Sequence, residues 1–243
     1  MPSKRTKTII PPQSDAESVA GLPEDVAAIR AEISKFFSVL GEKGRKIGSS
    51  VHGVYAFYDY DREPIYVGQT FEGLRARIGR HLTNQRTDAV AMNVLDPFEV
   101  AEIEIWPLDD EMADIPKLPK KLRQEYLNRA EFTVFEKVLS ESALGAVLNE
   151  KSIAPRNKVK LPRSYRQRII PESIYRQRKH PDIRLARRAG TIAALARVIS
   201  ERDVSKGLRR TLLTQARRLE RLASHRVQEL GITEDYKKNQ QED

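Results

Sequence analysis

Apolar residues recur along this chain with two different periods. Val26, Ile29, Ile33, Phe36, Phe37 and Leu40 keep helical spacing. Pro23, Glu24 and Asp25 suit a first helical turn, and Gly41 and Gly44 mark its end. An amphipathic helix is therefore expected within residues 21–47, either packed on the core that follows or paired with a second copy in a homodimer. The period then shortens. Gly53-Val54-Tyr55 and Tyr66-Val67-Gly68 are β-branched and aromatic runs separated by a polar stretch that ends at Pro64. They read as facing strands of a hairpin. A helical pattern follows on which Arg77 and His81, four residues apart, share a face. Residues 100–106 alternate strictly, which predicts a half-buried third strand stopped by Pro107. Residues 109–119 read as a connector. The next helix, about 122–140, places Leu127, Ala130, Val134, Phe135 and Val138 on one side. The fold class expected over residues 48–150 is α+β, a small three-stranded mixed sheet flanked by helices.

Beyond residue 150 the pattern turns basic and proline-punctuated, so residues 151–182 read as a basic linker. A near-repeat lies within it: Tyr165-Arg166-Gln167-Arg168, then Tyr175-Arg176-Gln177-Arg178. Two copies are too few for a solenoid. Helical patterns at about 183–201 and 206–230 follow. The second carries Leu208, Leu212, Ala216, Leu219, Ala223, Val227 and Leu230 as a near-heptad stripe, which predicts a helical hairpin within residues 183–232. Residues 1–20 and 233–243 are polar and read as flexible tails.

Charge sharpens this division. The net charge is +9, with 24 Lys/Arg against 10 Asp/Glu in residues 151–243, and 19 against 24 in residues 1–150. A basic half beside an acidic half points to a polyanionic partner held by the C-terminal part. Arg163, Arg166, Arg168, Arg176, Arg178, Lys179, Arg184, Arg187 and Arg188 fall within 26 residues, interleaved with Tyr165 and Tyr175. That pattern suits phosphate contacts with stacking, or else a solvated basic face. Arg209, Arg210, Arg217, Arg218 and Arg221 form a second stripe or simply the water side of the last helix. There is no apolar run near membrane-span length and no signal-peptide pattern, so a cytoplasmic protein without a membrane partner is expected. With no cysteine there is neither a disulfide framework nor a zinc–thiolate site.

Two phenols, a guanidinium and an imidazole on adjacent elements suit phosphate chemistry. Hydrolysis of a phosphodiester needs a base for water, positive charge for the transition state, and an acid for the leaving oxygen. A planar, permanently charged guanidinium such as Arg77 supplies the second of these. Gly53-Val54-Tyr55 and Tyr66-Val67-Gly68, ten residues apart, with Arg77 and His81 following, resemble the motifs of the GIY-YIG nuclease family. The resemblance covers about 100 residues and implies a metal-dependent endonuclease acting on double-stranded DNA. It implies Tyr55, Tyr66, Arg77 and His81 as catalytic residues, with Tyr55 the candidate base and Tyr66 and His81 binding phosphate or relaying protons. It also implies one glutamate on the helix after the third strand as ligand to Mg²⁺ (or Mn²⁺). Glu131 matches best, because an apolar pair, Val134 and Phe135, follows it; Glu136 is the second choice. Asn149 matches the family's closing asparagine. Gln69 stands where many relatives carry lysine or serine. The alternative is a non-catalytic DNA-binding or structural protein that retains the fold.

Overall fold

The structure is a computed structural model describing residues 24–82, 96–110, 112, 119–149 and 151–232. The expected tails, residues 1–20 and 233–243, lie outside them. Four strands, β1 (Gly53–Tyr58), β2 (Pro64–Thr70), β3 (Glu102–Pro107) and β4 (Tyr165–Arg168), form one sheet in the order β2-β1-β3-β4. All three pairings are antiparallel. The expected three-stranded mixed sheet is thus corrected on both counts. Six helices complete the described residues: α1 (Glu24–Phe37), α2 (Leu74–Leu82), α3 (Lys120–Glu141), α4 (Glu172–Lys179), α5 (Pro181–Glu201) and α6 (Lys206–Glu229). None is long and apolar enough to cross a membrane.

Local chemistry sets the hairpin that carries the first two strands. Asp59 Oδ1 accepts from the backbone N–H groups of Asp61 and Glu63, and Asp59 N donates to Glu63 O. Arg62 takes a left-handed φ of 63° to close the turn, a conformation that a β-branched residue would resist.

Both faces of the sheet are covered. On one, Val54, Ala56, Tyr58, Val67 and Trp106 meet Leu127, Ala130, Val134 and Val138 of α3. On the other, Tyr55, Phe57, Ile103 and Ile105 meet α1, α2, α5 and α6 through Phe36, Phe37, Leu74, Ile78, Leu195 and Leu208. Phe36 and Phe37 of α1 are used in this core rather than offered to a second copy. Double coverage also corrects the reading of β3 as half-buried. Glu104 is 4% exposed, accepting from Tyr58 Oη at 2.7 Å with Lys137 Nζ at 3.4 Å.

The segment read as a basic linker is part of the fold. Ile153, Val159 and Leu161 pack on the α3 side of the core, and Arg129 donates to the carbonyls of Asn157 and Lys158. The chain then adds β4 to the sheet and α4 behind it. Helices α5 and α6 pack along each other, and the pair is fastened to the β1–β2 turn by charge. Asp59 Oδ2 accepts from Arg184, Arg188 and Arg218 at 3.3, 2.9 and 2.6 Å, and Glu99 Oε2 accepts from Arg188 Nε at 2.9 Å. These five side chains are all under 10% exposed.

Candidate active site

Tyr55 and Gly68 are register partners across the hairpin. A Cβ on Gly68 would lie 2.5 Å from Tyr55 Oη and 2.8 Å from the Tyr66 ring, so only glycine lets the phenol cross the β2 backbone. At Gly53 a Cβ would lie 2.8 Å from Leu74 Cδ1. That glycine lets the start of α2 approach β1. The helix opens with Leu74 N bonded to Ser50 O and Arg77 N to Gly73 O, where Gly73 has φ 99°.

Arg77 and His81, one turn apart on α2, both reach Tyr55. Tyr55 Oη is 2.8 Å from His81 Nε2, and Arg77 Nε donates to the same oxygen at 3.4 Å. The Tyr66 ring stands 6.2 Å from that of Tyr55 and 5.3 Å from that of His81. Tyr55 and His81 are enclosed, whereas Tyr66 and Arg77 are half-buried and form the outer layer. Burial alone would depress the guanidinium. The Tyr55 and Tyr66 phenols outweigh it and hold Arg77 above its usual range, so it is charged at any working pH.

The other half of the site comes round the outer edge of β2 from the opposite face of the sheet. Gln69 Nε2 donates to Asn128 Oδ1 at 2.9 Å and to Glu131 Oε2 at 3.0 Å, and Gln124 Nε2 donates to the same Asn128 oxygen at 2.8 Å. Positions 124, 128 and 131 share one face of α3. Burial pushes the Glu131 carboxyl up to about 7, against the hydrogen bond from Gln69 and the charge of Arg77. Glu136 is turned away and lies 3.8 Å from Lys158 Nζ. Asn149 does not join the cluster through its side chain. Its Oδ1 accepts from Val67 N at 3.1 Å and its Nδ2 donates to Val67 O at 2.7 Å. It covers the outer edge of β2 two residues before Gln69, and its side-chain amide is taken up by the Val67 backbone.

Residues 51–128 match the family model for the GIY-YIG catalytic domain. This stretch is a GIY-YIG domain. GIY-YIG domains form a nuclease family. No curated protein and no solved structure matches the chain significantly. The match takes in Tyr55, Tyr66, Arg77 and His81 and ends at Asn128, so Glu131 and Asn149 rest on geometry.

A GIY-YIG nuclease implies a divalent cation. Among the described residues there is no group of three His, Cys, Asp or Glu side chains able to hold a metal. The oxygens present are nonetheless of the right kind. Glu131 offers a carboxylate, and the buried Gln69 Oε1 has no hydrogen-bond partner among the described residues. Hard oxygen donors in small number suit Mg²⁺ or Mn²⁺, which keep several waters.

The arginines expected to hold DNA divide into two groups. Arg166 is bonded to Glu102 at 2.6 Å and stacked 3.5 Å from the Tyr58 ring centroid. Arg178 lies over Phe98 with Asp25 at 3.6 Å, Arg187 makes two bonds of 3.0 Å to Asp96, and Arg188 is buried on Asp59 and Glu99. Arg184, also in that run, is buried. These five are engaged within the fold by ion pairs, ring contacts or burial. Arg163, Arg168, Arg176 and Lys179 remain exposed. Composition alone could not separate the groups, because the carboxylates that claim the first are 64 to 129 residues away for Arg166, Arg187 and Arg188.

Proposed function

We propose that this protein is a metal-dependent DNA endonuclease that hydrolyses phosphodiester bonds at the β2 edge. The observation that carries the reading is the meeting of Tyr55, Arg77 and His81 within hydrogen-bond reach, with Glu131 under the influence of Arg77 from the other face of the sheet. Arg77 leads. Its single bond to Tyr55, at 3.4 Å, is long, so little is lost when the guanidinium turns to the non-bridging oxygens of a phosphate. Tyr66, beside it in the outer layer, donates to the same phosphate. Behind them Tyr55 and His81 are paired, so a proton taken by the phenolate from water passes to the imidazole over a 2.8 Å bond. A free phenol, with pKa near ~10, is a poor base, and the adjacent Arg77 favours its ionised form. Glu131 would hold Mg²⁺ or Mn²⁺, which when bound supplies further positive charge to the transition state.

The four exposed cations Arg163, Arg168, Arg176 and Lys179 lie on or beside β4 and on α4. They stand at the opposite edge of the sheet from the site, three strand spacings or roughly 14 Å away. One duplex can touch both edges, so these residues are read as positioning contacts to the DNA backbone.

Incubation of supercoiled plasmid with wild type and Arg77→Ala, each with Mg²⁺ or EDTA, tests the reading. Nicking by the wild type in Mg²⁺, absent in EDTA and in the variant, is expected. Equal DNA binding by both proteins with no cutting in any metal would favour a non-catalytic DNA-binding role.

A further inference from the structure

Gln69 stands directly after the second motif, and its side chain is the bridge between the sheet and α3. With Glu131 ionised, as a metal ligand must be, the amide is oriented by its neighbours. Both neighbours of its nitrogen, Asn128 Oδ1 and Glu131 Oε2, are acceptors, and Asn128 Oδ1 also accepts from Gln124. Turning the Gln69 amide over would set an oxygen against a carboxylate and an amide carbonyl. The carbonyl oxygen Oε1 must therefore point away from both. In that position it is buried and has no hydrogen-bond partner among the described residues. Buried side-chain oxygens normally find a donor, and an unsatisfied one beside a reactive carboxylate calls for an explanation.

We propose that Gln69 is the second oxygen donor of the cation site. Its nitrogen aims the Glu131 carboxylate, and its Oε1 faces the divalent ion or a water that the ion carries. This rests on the reading of Glu131 as the metal ligand and extends it to a residue of β2. One carboxylate alone is a sparse cage for a hard cation, and a carbonyl oxygen adds a ligand of the preferred type without adding charge. The arrangement also accounts for the Gln124–Asn128–Gln69–Glu131 chain, in which each member fixes the next. Such supporting contacts typically change metal affinity by about 10–100-fold.

Mn²⁺ binding to the full chain without DNA, followed by electron paramagnetic resonance of the free ion, tests this in wild type, Gln69→Met, Gln69→Glu and Glu131→Gln. Gln69→Met keeps the volume but removes donor and acceptor, and a loss of about tenfold or more in Mn²⁺ affinity with an unchanged melting temperature is expected. Gln69→Glu keeps an oxygen there and adds charge, so it should bind Mn²⁺ more tightly than wild type. That variant decides the matter if Gln69→Met does not fold. Wild-type affinity in both Gln69 variants, with binding lost in Glu131→Gln, would overturn the role of Gln69 and leave Glu131 as the ligand. Undiminished binding in Glu131→Gln would overturn both.

Discussion

Two groups of arginine in this molecule do opposite things with the same side chain. Behind the β1–β2 turn, Arg184, Arg188 and Arg218 converge on one oxygen of Asp59, all of them under 5% exposed. At the β2 edge, Arg77 makes one long hydrogen bond to a phenol, and its two terminal nitrogens have no acceptor among the described residues. The first group is closed, with its charge answered by Asp59, Asp61 and Glu99. The second is open, with no carboxylate within bonding distance of it among the described residues. Under the proposed function, the anion that this guanidinium takes is a phosphate. What marks a functional arginine is thus the absence of an acidic partner, a property invisible in a count of basic residues.

The comparison breaks most visibly at Asp59. Replacing it with alanine leaves the buried Arg218 without its carboxylate and Arg184 and Arg188 with Asp61 and Glu99 alone, and removing one partner of a buried ion pair costs about 3–5 kcal/mol. Asp59→Ala should lose that much by urea unfolding, a large part of the stability of an ordinary domain. A midpoint within experimental error of wild type would mean that water, not Asp59, answers these charges. Next in size is a pair of identical substitutions in the two settings. Arg77→Gln should reduce plasmid cleavage by about 10²–10³-fold with little change in melting. Arg188→Gln should unfold at markedly lower urea yet cut normally per folded molecule at low temperature. If both variants lost stability alike, the open and closed settings would not differ as described.

How much of this is legible in the chain varies by element. The hairpin is, because β-branched runs, a polar turn and Pro64 are local signals, and the close approaches at Gly53 and Gly68 are written as glycines. Strand β4 is not. Tyr165-Arg166-Gln167-Arg168 has no apolar alternation and becomes a strand only by pairing with β3, whose partner positions lie 60 to 66 residues earlier. The same four residue types recur at Tyr175–Arg178 inside helix α4. Identical local sequence takes two conformations because one copy meets an open sheet edge and the other follows Pro171, which starts a helix. Of the site, Arg77 and His81 follow from helical spacing. In the sequence, the preference for Glu131 over Glu136 rests only on the apolar pair that follows it, whereas the structure turns the one toward Gln69 and the other toward Lys158.

The open site also carries a cost that can be read against pH. Burial raises the Glu131 carboxyl from its ordinary 4.5 to about 7. Between those values the native state binds more protons than the unfolded chain, so this residue makes stability fall as pH rises, with the full penalty above pH 7. In EDTA, Glu131→Gln should therefore gain on the order of 2 kcal/mol over wild type at pH 8 and almost nothing near pH 4. Thermal melts across that range measure it. Equal melting of the two proteins at both ends would place Glu131 in water rather than in a partly enclosed cleft.

The smallest effect sharpens the comparison to neighbours two residues apart. The Arg176 side chain is 90% exposed with only a loose contact to Glu172, while Arg178 is 13% exposed between Asp25 and Phe98. If the open–closed distinction holds on the surface proposed to hold DNA, only the first can release counterions from a duplex. Arg176→Gln should lower the slope of log affinity against log salt by about one and leave folding untouched. Arg178→Gln should keep the slope and lose about 1 kcal/mol of stability, from the lost stacking and ion pair. Anisotropy of a labelled duplex over a salt series, with a urea titration beside it, separates the two. Equal slopes for both variants would remove α4 from the DNA contact, because a residue that meets phosphate cannot be exchanged for glutamine without changing the number of ions displaced.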